Sequence, residues 1–248
     1  MKLSIITAVY NGASTIQDAI ESVLSQSYPS IEYIVVDGMS TDGTDMVIDS
    51  YRDRISKCVR EKDHGIYNAL NKGLRLATGD IVGLLHADDF LAHSGVLDRI
   101  AGEFLQMPTA GGVYGDLCYV DSIDTAKTLR RWKSNDYDVA RFWWGWMPPH
   151  PTVYFRRECY ESHGLFREDF QIAADYELLV RMMVLGGVSM SYIPETLVKM
   201  RVGGKSNASL GNRLLANRED RRAWTVNRLR APLGLRFTKP LRKLPQFF

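Results

Sequence analysis

Two adjacent carboxylates, Asp88 and Asp89, follow a short apolar run closely. Residues 80–89 read DIVGLLHADD, so a segment with the composition of a buried strand ends in two negative charges. Neighbouring carboxylates repel each other unless a cation lies between them or one of them takes up a proton. Mg²⁺ is a hard cation that binds through one or two carboxylates and usually completes its coordination with substrate phosphates. The pair therefore predicts a divalent metal site for a phosphorylated ligand.

Two common phosphate-binding motifs are absent from the chain. Neither GxxxxGK[ST] nor GxGxxG occurs, so the sequence lacks both the P-loop and the usual dinucleotide fingerprint. A diphosphate held through a metal ion on another kind of α/β sheet is typical of a nucleotide-activated group that is transferred. We therefore expect a nucleotide-activated donor as the ligand.

The elements that must position these carboxylates alternate in type. Four apolar segments of strand length, separated by helical patterns, read LSIITAV, IEYIVVD, SKCVRE and DIVGLL. This order is typical of βαβ units around a mostly parallel, Rossmann-like sheet with helices on both faces. Ligands of such sheets bind beyond the carboxyl ends of the strands. Polar residues follow those ends at Thr7 to Asn11, Asp37, Asp63 and Asp88–Asp89, so we expect them to share one crevice.

The second half of the chain is less regular. GVYGDLCYVD and TLRRWK resemble paired strands, TVYFRR and VSMSYI resemble single strands, and residues 175–185 have a helical pattern. An aromatic and proline-rich loop, FWWGWMPPHP, lies between them. From about residue 210 the tail is predicted to be helical.

Composition sets the broad class. The chain has 248 residues, of which 45% are hydrophobic and 24% charged, as in ordinary globular proteins. The three cysteines are scattered and form no CxxC pair, which favours a reducing compartment and argues against a metal cluster or disulfide framework. No run of about 18 apolar residues occurs, so we expect no membrane span.

Charge is distributed unevenly along the chain. From residue 201 onward there are 12 Lys/Arg and two acids, whereas the first 200 residues hold 19 bases and 27 acids. A basic tail with interleaved leucines and a tryptophan fits an amphipathic surface that lies on an anionic membrane. Packing of the tail on the rest of the chain, or contact with another subunit, explains the same pattern. The acidic body argues against a nucleic-acid partner.

Three separate blocks resemble family 2 glycosyltransferases with the GT-A fold. Residues 4–44 are similar to the opening of that family, EKDHGIYNALNKGLRLATGDIVGLLHADD resembles the central block of bacterial surface-polysaccharide and glycolipid enzymes, and IAADYELLVRM resembles a later block. The resemblance runs in order from residue 3 to about 205. It implies a GT-A domain over 1–205, with a nucleotide-sugar half (1–120) and an acceptor half (121–205), followed by a basic helical tail over 206–248.

The resemblance also implies roles for single residues. Asp89 together with Asp88 would be the metal-binding pair, with Mg²⁺ or Mn²⁺ as the cofactor. The resemblance implies eight residues that bind the donor: Thr7, Tyr10, Asn11, Asp37, Asp63, Asn71, Lys72 and Asp88. Many members have a second Asp after the residue that corresponds to Asp37, but this chain has Gly38.

On the acceptor side, Asp175 would be the general base of a single inverting displacement. Many members have Glu before it, and this chain has Ala174. His150, Trp146 and Lys205 are the candidates for acceptor contacts.

The leading hypothesis is an inverting, metal-dependent glycosyltransferase. It would move a sugar from a nucleotide-diphosphate sugar to a glycan or lipid-linked acceptor in cell-surface polysaccharide or glycolipid synthesis. We expect it in the cytoplasm, peripherally on the inner membrane face. A sugar nucleotidyltransferase is the alternative enzyme class, although the loop TAVYNGAST lacks the basic residues usual there. A nucleic-acid-binding protein is a remote third.

Overall fold

In a computed structural model, residues 1–203, 210–232 and 234–235 are described. Within them the strands are β1 (Leu3–Val9), β2 (Ile31–Asp37), β3 (Lys57–Arg60), β4 (Ile81–Leu84), β5 (Asp89–Leu91), β6 (Gly112–Val120), β7 (Thr128–Trp132), β8 (Tyr154–Arg156) and β9 (Met190–Arg201). The α-helices are α1 (Ile16–Leu24), α2 (Thr44–Asp49), α3 (Ile66–Leu76), α4 (Val96–Gln106), α5 (Arg157–His163), α6 (Ala174–Leu179) and α7 (Leu210–Val226).

These strands form one sheet in the order β3-β2-β1-β4-β8-β6-β9-β5, with β7 paired to β6. The pairings β1–β2, β1–β4, β2–β3 and β6–β9 are parallel, whereas β8 is antiparallel to both β4 and β6. Hence β6 and β9 run in the same direction as β1 to β4, and the sheet is mostly parallel. The predicted α/β architecture is confirmed.

Burial on both faces explains the apolar strands. Every residue of β1 is buried, and helices cover the sheet so that two clusters of apolar side chains form on its two sides. One cluster contains Ile6, Leu70 and Leu74, where α3 packs on β1, and the other contains Ile5, Ile20 and Val23, where α1 packs. Gly73 permits the close approach of α3, since a Cβ there would lie 2.3 Å from Cγ2 of Ile6.

Both predicted halves of the main domain contribute to this sheet. Strand β8, from the acceptor half, lies between β4 and β6 of the donor half. The predicted division at residue 120 therefore separates no independent sheet. The predicted boundary at 205/206 lies outside the described residues.

Helix α7, the described part of the basic tail, packs on the domain. Trp224 is fully buried, and its Nε1 donates to the Tyr176 hydroxyl at 3.0 Å. Asn227 Nδ2 donates to Glu177 Oε1 at 3.0 Å. This face of the tail helix is thus part of the fold, while Arg218, Arg221 and others lie exposed on the opposite face. None of the helices in the described ranges is long and apolar enough to cross a bilayer.

Candidate active site

The loops after β1 and β2 are tied together. Val9 pairs with Asp37 in the parallel ladder, so both strands end at the same edge. Asn11 adopts a left-handed backbone conformation (φ 53°), which Asn tolerates better than most residues. Its Oδ1 accepts from the Thr41 amide at 2.9 Å, and its own amide donates to Ser40 Oγ at 2.8 Å. Asn11 therefore shapes this edge through hydrogen bonds to the neighbouring loop.

Two of the predicted donor contacts are buried within that edge. Asp37 is 1% exposed; its Oδ1 accepts from the amide and hydroxyl of Ser40, and its Oδ2 lies 3.2 Å from Arg60 Nε. Thr7 is fully buried and its Oγ1 accepts from the Tyr33 hydroxyl at 3.1 Å. Both side chains stabilise the strand ends, and in this arrangement neither is exposed to a ligand.

Tyr10, Gly38 and Asp63 come together at the surface. A Cβ placed on Gly38 would lie 2.7 Å from Asp63 Oδ2 and 3.4 Å from Tyr10 Cδ2, so the missing side chain is what lets them approach. Tyr10 is 66% exposed and offers an open aromatic face. An aromatic ring beside a carboxylate suits stacking and hydrogen bonding of a flat polar ring such as a nucleobase.

Lys72 holds Asp63 in place. Its Nζ lies 2.6 Å from Asp63 Oδ1 and 3.0 Å from Glu61 Oε1. Burial acts to lower the pKa of Lys72, but the hydrogen bonds to Asp63 and Glu61 outweigh it, and the net pKa is raised. Lys72 therefore stays charged and fixes the carboxylate beside Tyr10.

Asn71, its neighbour on α3, has a different environment. It is buried, its Oδ1 accepts from the Phe166 amide, and its Nδ2 donates to the Phe166 carbonyl and to Glu168. The structure thus uses this predicted donor contact to attach the 166–168 segment to α3.

Asp88 and Asp89 differ in exposure. Asp88 is half-buried, and its carbonyl accepts from Arg201 Nη1 at 2.8 Å. Asp89 begins β5 and is fully buried, and neither of its carboxylate oxygens has a hydrogen-bond partner of acceptable geometry among the described residues. Burial raises the pKa of Asp89 well above its ordinary value, and the charge of Asp88 adds to that effect, while Arg201 opposes it.

These features fit a divalent cation. A buried carboxylate whose oxygens lack hydrogen bonds, next to a second and more accessible one, is an arrangement that a positive charge would stabilise. In the ranges that the structure describes, no group of three or more His, Cys, Asp or Glu is arranged to hold a metal alone. The donor set therefore suits Mg²⁺ or Mn²⁺ bound through Asp88, and through Asp89 if it turns, with ligand phosphates completing the shell.

Asp175 lies at the start of α6 and is bonded to a histidine pair. Its Oδ2 is 2.8 Å from His150 Nδ1, and Nε2 of His150 is 3.1 Å from Nε2 of His86. His86 precedes Asp88 by two residues, so this chain of side chains joins the β4–β5 loop to α6. Burial lowers the pKa of His86 to about 4, helped by His150 and opposed by Asp88 and Asp175.

The backbone before Asp175 is held from two sides. Glu219 of α7 accepts hydrogen bonds from the amides of Gln171, Ile172 and Ala173 at 2.8–2.9 Å. From α3, the Tyr67 hydroxyl donates to the Ile172 carbonyl at 2.6 Å and accepts from the Ala174 amide at 3.2 Å. The position of α6 is therefore fixed by tertiary contacts as well as by its own turn.

The acceptor candidates have different fates. Trp146 is 6% exposed, packs against Tyr114 and Phe142, and donates from Nε1 to the Ser134 carbonyl at 2.9 Å, so it belongs to the core. Trp143 and Trp144 are the exposed tryptophans, at 44% and 64%. Lys205 lies outside the described residues.

Two residues that the predicted catalytic, donor, metal and acceptor sets do not include also bear on the site. Arg201 is buried and secures the Asp88 loop, where it also pairs with Asp18. Through His150, His86 joins Asp175 to that loop, and its place two residues before Asp88 is the sequence signal for it.

Comparisons with known proteins bear on the family and the fold of the chain. The model of glycosyl transferase family 2 matches residues 4–164. The PGL/p-HBAD biosynthesis glycosyltransferase of Mycobacterium bovis (strain BCG / Pasteur 1173P2) is 26% identical over 216 residues, which cover 86% of this chain and 82% of that protein.

Solved structures show the same fold. S. aureus TarS 1-349 in complex with UDP-GlcNAc superposes with a TM-score of 0.70 at 18% identity, over 96% of this chain and 69% of that one. The mannosyltransferase PcManGT from Pyrobaculum calidifontis, in complex with GDP-Man and Mn²⁺, gives a TM-score of 0.64 at 25% identity, over 99% and 66%. This chain spans 60% of another TarS 1-349 structure and 37% of a further TarS structure.

Proposed function

The chain belongs to glycosyl transferase family 2, and we propose that it transfers a sugar from a nucleoside-diphosphate sugar to a hydroxyl of a glycan or lipid-linked acceptor, with inversion. The observation that carries this is the linkage of Asp175 through His150 to His86, two residues from Asp88. It links the proposed base to the loop that carries Asp88, the proposed metal-binding carboxylate. The family match argues against both alternatives, a sugar nucleotidyltransferase and a nucleic-acid-binding protein.

On the donor side, Tyr10 and Asp63 would hold the base. The open ring of Tyr10 offers a stacking face, and Lys72 keeps the Asp63 carboxylate beside it. Asp37 and Asn11 both bond to Ser40, which keeps the loops after β1 and β2 together beside this pocket. A divalent cation at Asp88 would supply Lewis-acid stabilisation of the diphosphate, and PcManGT was solved with GDP-Man and Mn²⁺.

On the acceptor side, Asp175 would act as the base. Its carboxylate takes the proton of the acceptor hydroxyl while that oxygen forms a bond to the anomeric carbon. The bond from that carbon to the diphosphate oxygen breaks on the opposite face, so the configuration inverts. The products are a glycoside and a nucleoside diphosphate. A positioned base contributes about 10²–10⁴ in rate.

A panel of nucleotide sugars tests the donor assignment. Ligand binding stabilises the folded state by RT ln(1 + [L]/Kd), about 2.7 kcal/mol when the ligand is 100-fold above Kd. We expect one or a few donors to raise the melting temperature of the wild type with Mn²⁺ or Mg²⁺, but not with EDTA. The Asp88→Asn variant should lose that shift, whereas the exposed-carboxylate control Glu161→Gln should keep it. Equal shifts in both variants would contradict the role of Asp88.

We also propose that the exposed side of α7 contacts an anionic membrane that carries the acceptor. Leu214, Arg218 and Arg221 are exposed at helical spacing on α7, and Arg228 is exposed just beyond its end; we call these four residues the basic face. Trp143, which is 44% exposed, packs edge-on against Trp224 where the domain meets this helix, so an exposed tryptophan borders α7. Tryptophan and arginine together are favourable at a membrane interface.

Vesicle sedimentation tests this contact. Each Arg near an anionic surface contributes about 1 kcal/mol, so Arg218→Glu with Arg221→Glu should weaken binding to phosphatidylglycerol-containing vesicles by more than about tenfold. Arg131→Glu, an exposed arginine on β7, is the matched control. Binding that is equal for neutral and anionic vesicles would refute the proposal.

A further inference from the structure

His150 lies between Asp175, the proposed base, and His86 of the β4–β5 loop. It is in the 3₁₀ turn His150–Thr152, which is 64 residues from His86 and 25 from Asp175 in the chain. Its Nδ1 is 2.8 Å from Asp175 Oδ2 and its Nε2 is 3.1 Å from His86 Nε2. The two imidazole rings meet edge-on, with an interplanar angle of 78°. Both ring nitrogens of His150 are thus committed to protein partners.

The hydrogen positions follow from the chemistry of the three groups. An ionised carboxylate only accepts, so the hydrogen between Asp175 and His150 must lie on Nδ1 of His150. In a neutral imidazole the other nitrogen is then an acceptor. With both rings neutral, His86 Nε2 therefore donates to His150 Nε2. One tautomer of each histidine satisfies both contacts.

The backbone of Asp175 is already fixed, as described above. Glu219 and Tyr67 hold the segment from Gln171 to Ala174, but neither bonds to the Asp175 carboxylate in those contacts. The side chain of Asp retains rotations about χ1 and χ2, the second of which is broad. The contact from His150 acts on the carboxylate itself, at Oδ2.

We propose that His150 is a positioning residue for the base: its Nδ1–H holds Asp175 Oδ2, and His86 holds the other nitrogen of the same ring, Nε2. His86 belongs to the loop that carries Asp88, so the base and the phosphate-binding side of the crevice are set relative to one another. This inference rests on the proposed role of Asp175. It assigns the histidines to orientation and not to contact with the acceptor.

Substitutions of His150 that keep or remove its hydrogen-bond donor test the assignment by kinetics. His150→Ala removes the N–H, whereas His150→Asn places an amide N–H near the position of Nδ1. Misplacement of a catalytic group by about 1 Å can cost about 10²-fold. We expect His150→Ala to lower kcat for nucleoside diphosphate release by about 10²-fold, with the donor KM changed less than about twofold, and His150→Asn to recover at least about tenfold of the loss. An unchanged kcat in His150→Ala, or no recovery in His150→Asn, overturns the inference.

A second measurement does not depend on turnover. Long-range ¹⁵N–¹H NMR of the wild-type imidazoles should show His150 with hydrogen on Nδ1 and His86 with hydrogen on Nε2. Because Asp175 still accepts from Nδ1, His86→Ala should keep the hydrogen on Nδ1 of His150 but shift the ¹⁵N resonance of Nε2, which loses its partner, and His86→Gln, which keeps a donor near Nε2, should restore that resonance. A His150 ring with hydrogen on Nε2 alone overturns the inference. Absence of any transfer in the wild type, with the NMR result as expected, counts instead against the proposed function.

Discussion

Glu219 links helix α7 to the segment that precedes Asp175, the proposed base. Its carboxylate is 5% exposed and accepts from the three consecutive amides of Gln171, Ile172 and Ala173. An unsatisfied buried donor costs about 1–3 kcal/mol. Two of the three contacts are only partly buried, so water partly replaces them. We expect Glu219→Ala to lower the free energy of unfolding by about 3–5 kcal/mol.

Urea denaturation at pH 7 measures this loss. A domain of this kind is stable by about 5–15 kcal/mol, so the midpoint should fall substantially. Arg218→Ala, an exposed neighbour on α7, is the control and should change stability by less than about 0.5 kcal/mol. Glu219→Gln keeps one acceptor oxygen and should lie between the two. A loss below about 1 kcal/mol in Glu219→Ala would refute the view that α7 anchors the segment before Asp175.

Three further outcomes follow from the structure. Gly38→Ala introduces a Cβ 2.7 Å from Asp63 Oδ2, so donor titration calorimetry should show weaker binding with little change in urea stability; unchanged affinity would count against the pocket at Tyr10. Gly83→Ala places a Cβ 2.1 Å from the buried ring of Tyr154, and overpacking should cost about 1–3 kcal/mol or more in urea melts; wild-type stability would be the contrary result. For Glu32, burial acts to raise the pKa, but hydrogen bonds from Ser4 and Thr78 and the contact with Lys57 outweigh it and lower the pKa. Its contribution is therefore present above the unfolded pKa near 4.3 and is lost as pH falls below that value. Glu32→Gln should flatten the fall of the urea midpoint between about pH 5 and 3; a slope equal to that of the wild type would exclude this.

The sequence predicted the elements whose environment is uniform. The apolar runs at residues 3–9, 31–37 and 81–84 are strands because both faces of the sheet are covered, and the structure confirms them. The inward residues of α6 and of the π-helical turn after it, such as Tyr176 and Met182, are also buried as their spacing predicted.

Other elements depend on partners that the local sequence does not reveal. β9 is longer than the apolar segment VSMSYI because β6 and β5 pair with its continuation, past an irregularity near Pro194. β5 has only three residues, too few for a periodic signal. The spacing of apolar residues over 14–27 predicts a longer helix than the observed α1 (Ile16–Leu24), since helix ends depend on local hydrogen bonding.

For the site, sequence predicted a shared edge but not which side chains remain accessible there. Thr7 and Asn71 are polar residues near strand ends or on the neighbouring helix, yet tertiary partners bury them. The His86–His150 contact joins residues far apart in the chain, and it arises because β8 follows His150 and pairs with β4. Such contacts are set by the packing of the whole sheet.

Asp175 is the proposed base of a displacement at a metal-assisted donor site. The most direct measurement is the rate of nucleoside diphosphate release by Asp175→Asn, with the nucleotide sugar that stabilises the wild type and with Mn²⁺ present. We expect that rate to fall by about 10²–10⁴-fold, while the donor still raises the melting temperature of the variant. Release at the wild-type rate, with the same donor bound, would contradict it.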